Sequence, residues 1–347
     1  ARVDGDHGQL AARKALQRIR EEAILIKLEP FGGTKDLARI INEYNFAGAR
    51  KIGMTLDTTA YTTVQRWLQL FGGAELVDLS WDIRMLRMVK SEKEIAIQAR
   101  AGAIMAGVPD LVKTSFRPGM TELQLSAVVE NYFRLNHHGV VVRCRREGIE
   151  MGFGVCSSGV NTLAGTKFDG ICAGMGITTA VPYGANDDPI RRGVPILLDY
   201  AFNLEGYHMD QTRMFSWGEP DPEVRRAYDA MLQVEERVIS LLTPGYTWSQ
   251  IYEESLGLAA ELGYEQEFMG LGPEKVKFVG HGIGLELDEP PFLAPKNDYP
   301  REAGMVVAVE PKVSLPGTGV VGIEDTLVIR PGKPEFLTTV SRKFFII

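Results

Sequence analysis

The chain has 347 residues, 45% of them hydrophobic and 24% charged, with a formal net charge of -7. That length carries one large domain or two ordinary ones, each with a substantial core, and two is the better reading. The acidic balance supplies no general field for nucleic acid, the basic stretches RRGV and VRCRREG are short enough to sit solvated, and no run of about 18 apolar residues offers a membrane span.

Residues 1 to about 88 alternate helical and strand patterns. GQLAARKALQRIREEA, from Gly8, predicts a helix, AILIKLE a short buried strand, TKDLARIINEYN another helix and KIGMTL another strand, which together make an α/β unit. LRMVKSEKEIAIQARAGAIMAGVPDLVKTSF then predicts a long amphipathic helix in which Ser91 and Glu94 are spaced as a capping box. The boundary between a first domain, 1–88, and a second, 89–347, is placed at its start. RPGMTELQLSAVVENYFRLN, with Thr121 three residues ahead of Gln124, and TPGYTWSQIYEESLGLAAELG, near residue 245, repeat the same turn-then-helix logic. Helices here alternate with hairpins rather than with single parallel strands, so the second half is α+β. Three cysteines, Cys144, Cys156 and Cys172, are an odd number without metal-ligand spacing, which predicts free thiols in a reducing compartment, the cytoplasm. No signal peptide is visible, and a chain opening ARVDGDHGQ reads as a fragment or a processed start.

PILLDYAFNLEGYHMDQTRMF, residues 195–215, predicts a β-hairpin with NLEG as its turn. Folded about the midpoint between Leu204 and Glu205, it sets Asp199 directly opposite Asp210, a destabilising juxtaposition of like charges. MVVAVEPKVSLPGTGVVGIEDTLVIR, residues 305–330, predicts a second hairpin that, folded about Gly317, sets Glu310 opposite Glu324. One such pair reads as a charged edge strand. Two pairs inside otherwise apolar strands call for a cation between them. In KFVGHGIGLELDEPP, His281 lies between two glycines that leave the backbone close to whatever the imidazole touches. Alone it would be a packed histidine; beside four converging acids it reads as a ligand. One imidazole and four carboxylates form a hard, oxygen-rich set, enough for two divalent ions sharing bridging carboxylates and suited to Mn, Co or Fe rather than Zn. Paired metals polarise a carbonyl and acidify a bridging water together.

Asp199, Asp210, His281, Glu310 and Glu324, in the contexts DxxxxxxGYxxDxTR, VGHGIGLExxEPP, VVAVEP and GIEDTLVI, resemble the five metal ligands of the pita-bread metallopeptidase family, which includes methionine aminopeptidase, Xaa-Pro aminopeptidase, prolidase and creatinase. The resemblance covers residues 90–347 almost entirely, and the first 88 resemble the later part of the smaller N-terminal domain of the creatinase and prolidase branch. It implies that Asp199 and Asp210 hold one metal, that Asp210, His281, Glu310 and Glu324 share the other, that Glu310 accepts the proton of the attacking water, and that the protein is a homodimer. The activity so implied is hydrolysis of a small peptide or amide bond by a metal-bridged hydroxide, as in Xaa-Pro peptidases. The alternatives are a non-peptidase enzyme of the same fold, acting on a small molecule as a creatinase-like amidinohydrolase or a lyase, and a non-catalytic binding module.

The chain departs from the aminopeptidase pattern at two substrate histidines, whose positions hold Pro182, beside Tyr183, and Asp288. A carboxylate donates no hydrogen bond to a developing oxyanion unless protonated, so Asp288 binds a cationic part of a substrate or takes a proton, or else is a solvated loop acid. Tyr183 keeps a family position and is a candidate to line the pocket. His208, two residues before Asp210 and on the same strand face, is a candidate to compensate in catalysis or substrate binding, or is an ordinary sheet histidine. Arg213 and Asp325 are expected to orient ligand carboxylates. His137 and His138 close a helix and are given no chemical role. GTKFDGICAGMGITTAVPYGANDD is expected to be a flexible loop near the site's mouth without phosphate-cradling chemistry.

Overall fold

Parallel strand pairs organise the first of two units into which the chain divides, Ala1–Ile83 and Arg84–Ile347. The computed structural model describes residues 8–12, 27–145, 149, 151–165 and 170–347. In the first unit β1 (Gly8–Ala12) pairs with β2 (Lys27–Phe31) and β3 (Lys51–Met54) with β4 (Glu75–Asp78). Helices Thr34–Glu43 and Tyr61–Leu70 follow β2 and β3, so this part is α/β as its pattern predicts. The helix expected from Gly8 begins instead as β1, whose pairing with β2 overrides a helical periodicity; the rest of that stretch, and the first four residues of AILIKLE, lie outside the described residues. Thr34–Glu43 buries Leu37, Ile40 and Ile41, one stripe at helical spacing.

The second unit holds β5 (Gly154–Ser158), β6 (Pro195–Leu204), β7 (Tyr207–Ser216), β8 (Gly280–Gly282), β9 (Glu289–Phe292), β10 (Val306–Val309), β11 (Lys312–Leu315), β12 (Gly319–Gly322), β13 (Asp325–Val328), β14 (Glu335–Phe336) and β15 (Phe345–Ile346). They form a four-stranded sheet in the order β15-β7-β6-β5, a five-stranded sheet in the order β14-β13-β10-β8-β9, and the ribbon β11-β12. Helices cover both faces. Leu197 and Met214 pack with Val224, Met231, Val234 and Val238 of helix Pro222–Leu241. Leu198, Phe202 and Phe215 pack with Ile95, Met105, Leu125 and Phe133 from the helices at 92–105 and 122–135.

The long helix expected after residue 90 is two, Glu92–Met105 and Val108–Ser115. Pro109 has no N–H to give to the preceding turn, so the first helix ends and a second starts with proline in its first turn, where none is needed. By length and composition the combined stretch 92–115 is apolar enough to cross a membrane, but half of its most apolar window is buried inside this unit. Three of the helix starts read from the sequence are closed reciprocally, Ser91 with Glu94, Thr121 with Gln124 and Thr247 with Gln250.

The first hairpin is registered differently from its predicted midpoint. Leu204 pairs with Tyr207, the turn is Glu205–Gly206 with both φ values positive (53° and 91°), and the partners are Asp199 with Thr212 and Ala201 with Asp210. A two-residue turn of this kind matches the twist of the strands and outcompetes the looser loop. The slip is two residues, so both aspartates keep the same face and are diagonal rather than opposed. The second hairpin is folded about Gly317 as predicted: Val306 pairs with Val328, Val309 with Asp325, Lys312 with Gly322 and Leu315 with Gly319. Between the two ladders lies a break at Glu310–Pro311 and Ile323–Glu324, where proline cannot donate. On the outer edges there, Glu310 N continues the β10–β8 ladder by donating to Val279 O (3.0 Å), and Glu324 N donates across to Thr212 O of β7 (3.3 Å).

Glu205 occupies a left-handed position that asparagine adopts more easily. Glu205→Asn forfeits its exposed ion pair with Arg100 (2.7 Å), worth a few tenths of a kcal/mol at about the level of surface pairs. The expected net result is a stabilisation of roughly 1 kcal/mol, read as a thermal midpoint raised by about 2 °C.

Candidate metal centre

The bonds of Glu310 to the β8 side and of Glu324 to β7 bring the two sheets' acids together. His281 Nε2 lies 3.4 Å from Glu310 Oε1 and 3.9 Å from Glu324 Oε1, and one ligand atom each from Asp210, His281 and Glu324 fall within 4.8 Å of one another. All four side chains are buried. Asp199 approaches from β6 with its side chain 21% exposed, the most open of the five, which makes its side the one facing solvent. The five residues read as ligands therefore converge.

Sequence reasoning missed the residue at their centre. Lys312, 1% exposed, extends its ammonium to Glu310 Oε2 (2.5 Å), Asp199 Oδ2 (3.4 Å) and Glu324 Oε2 (3.5 Å). A signal was present: a lysine two residues after Glu310 in an apolar strand shares its face. Opposite it stands Gly322, where an added Cβ would lie 2.5 Å from Lys312 Cγ and from Pro311 O, so only glycine leaves room for the lysine stem. Thr212 and Cys172 were also missed. Thr212 Oγ1 donates to Glu324 Oε2 (2.8 Å), and Cys172 Sγ to Asp199 Oδ2 (3.3 Å), so one end of the glycine-rich loop reaches the cluster.

Electrostatics record the crowding. Burial and the Asp199 charge push Asp210 up to about 7, and burial with Asp210 raises Glu324 well above the carboxylate range. Burial by itself would lower Lys312, but Asp199, Glu310 and Glu324 together hold it well above its ordinary value. Cys172 is pushed up by burial and by Asp199, so it stays a thiol.

Arg213 donates from Nη1 to the Glu324 backbone O (2.7 Å) and pairs through Nη2 with Asp325 Oδ1 (2.5 Å), so it fixes the Glu324 main chain rather than a carboxylate of the cluster. The glycines beside His281 have a different reason from the one read in the sequence. A Cβ at Gly280 would lie 2.4 Å from Ala308 O and one at Gly282 2.4 Å from Pro290 O, so neighbouring strands demand them.

His208 does not serve the site. It is fully buried, its Nε2 accepts from Arg143 N (3.0 Å) and its Nδ1 donates to Gly284 O (3.0 Å), so both ring nitrogens bind backbone and burial lowers its pKa to about 4. Face sharing with Asp210 is real, but the ring is packed further along the sheet. His138 is likewise buried and backbone-bound, through Ala201 O and Val140 N. Tyr183 and Asp288 are half-buried. Burial pushes the Cys144 thiol up to about 12 together with the fields of Asp288, Asp210 and Glu286, so Asp288 and Asp210 act on the same group.

Helix layers outside, sheets inside and an acid cage at the sheets' junction make a pita-bread metallopeptidase domain. The chain belongs to metallopeptidase family M24, whose family model matches residues 96–331, and the Creatinase/Prolidase N-terminal domain matches residues 3–89. It is 25% identical over 347 residues to the Xaa-Pro dipeptidase of Pyrococcus furiosus, spanning 98% of this chain and 87% of that one. It is 27% identical over 301 residues to the uncharacterized peptidase YqhT of Bacillus subtilis, spanning 86% and 76%. Two solved structures share the fold: the Xaa-Pro dipeptidase from Bacillus anthracis (TM-score 0.80, 24% identity, 99% of this chain and 88% of that one) and the X-Pro aminopeptidase from Thermotoga maritima (0.78, 24%, 98% and 88%). The family uses divalent metal ions, and Asp210, His281 and Glu324 could hold one here.

Between its unfolded value, about 6.5, and its folded value of about 4, His208 binds a proton only in the unfolded chain, so acidification across that window removes stability, roughly 3 kcal/mol when complete. His208→Gln should flatten this part of the pH–stability curve, measured by urea unfolding, while leaving divalent-ion binding intact.

Proposed function

We propose that the chain is a divalent-metal-dependent hydrolase cleaving a small peptide or amide bond, with Xaa-Pro dipeptides as the substrate class. The single observation that carries this reading is the convergence of Asp210, His281 and Glu324, with Glu310 Oε1 3.4 Å from His281, where Glu324 Oε1 is a buried oxygen with no hydrogen-bond partner among the described residues. A buried carboxylate oxygen without a hydrogen bond is costly, and a cation received among these acids removes that cost. Asp210, His281 and Glu324 would hold the ion, with Glu310 Oε1 beside them. An ion so bound supplies a Lewis acid for the scissile carbonyl and an acidified water. The oxygen-rich donor set suits Mn, Co or Fe better than Zn.

The chain's own groups supply the rest. Glu310, fixed between His281 and Lys312, takes the proton of the attacking water on a carboxylate oxygen and returns it to the leaving amine. Thr212 and Arg213 hold Glu324 from its side chain and its carbonyl, so the cage keeps its shape through turnover. Asp199 marks the open side by which substrate arrives.

A second reading, a hydrolase for a small cationic non-peptide amide, is favoured by Asp288, an acid where a peptidase of this kind has an imidazole. Assay of proline-containing dipeptides and tripeptides with added Mn²⁺ or Co²⁺ separates the two. Turnover abolished by a chelator is the expected result; no turnover on any of them rejects the peptidase reading. Glu310→Gln should lower kcat by about 10²–10⁴ without unfolding the chain. Asp288→His should raise peptide hydrolysis if the peptidase reading holds, and lower turnover of a cationic amide if the second does.

A further inference from the structure

Two divalent ions, the number that four acids and an imidazole suggest, leave Lys312 out of account. Its ammonium stands among Asp199, Glu310 and Glu324, at 3.4, 2.5 and 3.5 Å. Those three acids would face a second ion on the Asp199 side of the cage. Glu310 and Glu324 each divide their oxygens between two neighbours: Oε2 of both faces the ammonium, and Oε1 of both faces His281. Each carboxylate thus bridges two positive positions, one of which the chain already fills covalently. The other retains the unpartnered Glu324 Oε1 with Asp210 and His281. The ammonium cannot simply swing away, because its stem is packed in the β11-β12 ribbon opposite Gly322 and the residue is 1% exposed.

We infer that Lys312 is a built-in cation occupying one of the two positive positions of the cage, so that the centre takes one divalent ion per chain, at Asp210, His281, Glu310 and Glu324. This rests on the ligand reading of the preceding section. A monovalent, fixed charge beside Asp199 makes that aspartate a partner of lysine rather than a metal ligand, and it leaves the single ion to act alone.

The test counts ions rather than activity. The full chain is stripped with a chelator, titrated with Mn²⁺ alone in a calorimeter, desalted, and its metal content measured. One ion per chain is expected for the native chain; two would overturn the inference while leaving the hydrolase reading standing, and none would remove the ligand reading and the inference with it. Lys312→Met should bind a second Mn²⁺, and remaining at one would show that the lysine is not what excludes it. Asp199→Asn should still bind one ion with affinity changed by less than about tenfold, whereas His281→Ala should lose it. Should Lys312→Met fail to fold, electron paramagnetic resonance of the Mn²⁺-loaded native chain decides: an isolated-ion spectrum supports the inference, and an exchange-coupled pair overturns it.

Discussion

Three buried carboxylates, Asp210, Glu310 and Glu324, with the partly exposed Asp199 beside them at the junction of two sheets, set the constraint from which the second unit's architecture follows. Burial and neighbouring acids disfavour the charges of Asp210 and Glu324, whose values are raised. Positive charge inside such a cluster opposes that effect. His281 and Lys312 reach the same two glutamates from different directions, one through a ring nitrogen and one through an ammonium. The buried Glu324 oxygen without a hydrogen-bond partner marks where the proposed divalent cation would complete that compensation.

The backbone reaches this arrangement because Glu310 and Glu324 occupy a pair of the hairpin whose amides face outward. The cross-hairpin bonds fall on alternate pairs, Ile329 N to Met305 O (2.8 Å) and Ile323 N to Pro311 O (3.3 Å). The outward amides bond to Val279 and Thr212 on neighbouring segments, so one hairpin joins the sheet that carries His281 to the sheet that carries the aspartates. Behind the cage, Arg213 and Arg342 both pair with Asp325, and Arg342 also with Glu235 (2.5 Å), a second buried set in which two arginines face two acids. In the cage, one lysine faces Asp199, Glu310 and Glu324.

Much of this was readable from residue order. Three capping boxes stood where Ser or Thr preceded Glu or Gln by three residues, because that spacing satisfies amides locally. The second hairpin's register followed from a glycine-centred turn, and the five converging residues from their contexts. Errors arose where distant groups decided. Composition alone sets Asp199 opposite Asp210; the two-residue turn shifts the register by two, and period-two alternation keeps both on one face. Face sharing with Asp210 says nothing of depth along the strand, and backbone groups of residues 143 and 284 take both ring nitrogens of His208. The residues beside His281 are glycines because of carbonyls on two other strands, a reason invisible in the linear order.

By itself the sequence determined the local features: helix starts, the α/β character of the first unit, the alternation that puts acids on inward faces, and the kinds of donor offered to an ion. These depend on neighbours within a few residues. Only the tertiary structure decided which of those acids share an oxygen with which cation, that Lys312 enters the cage, and that His208 does not. Such choices depend on contacts between segments more than a hundred residues apart, such as Thr212 with Glu324, and no short-range rule carries that information.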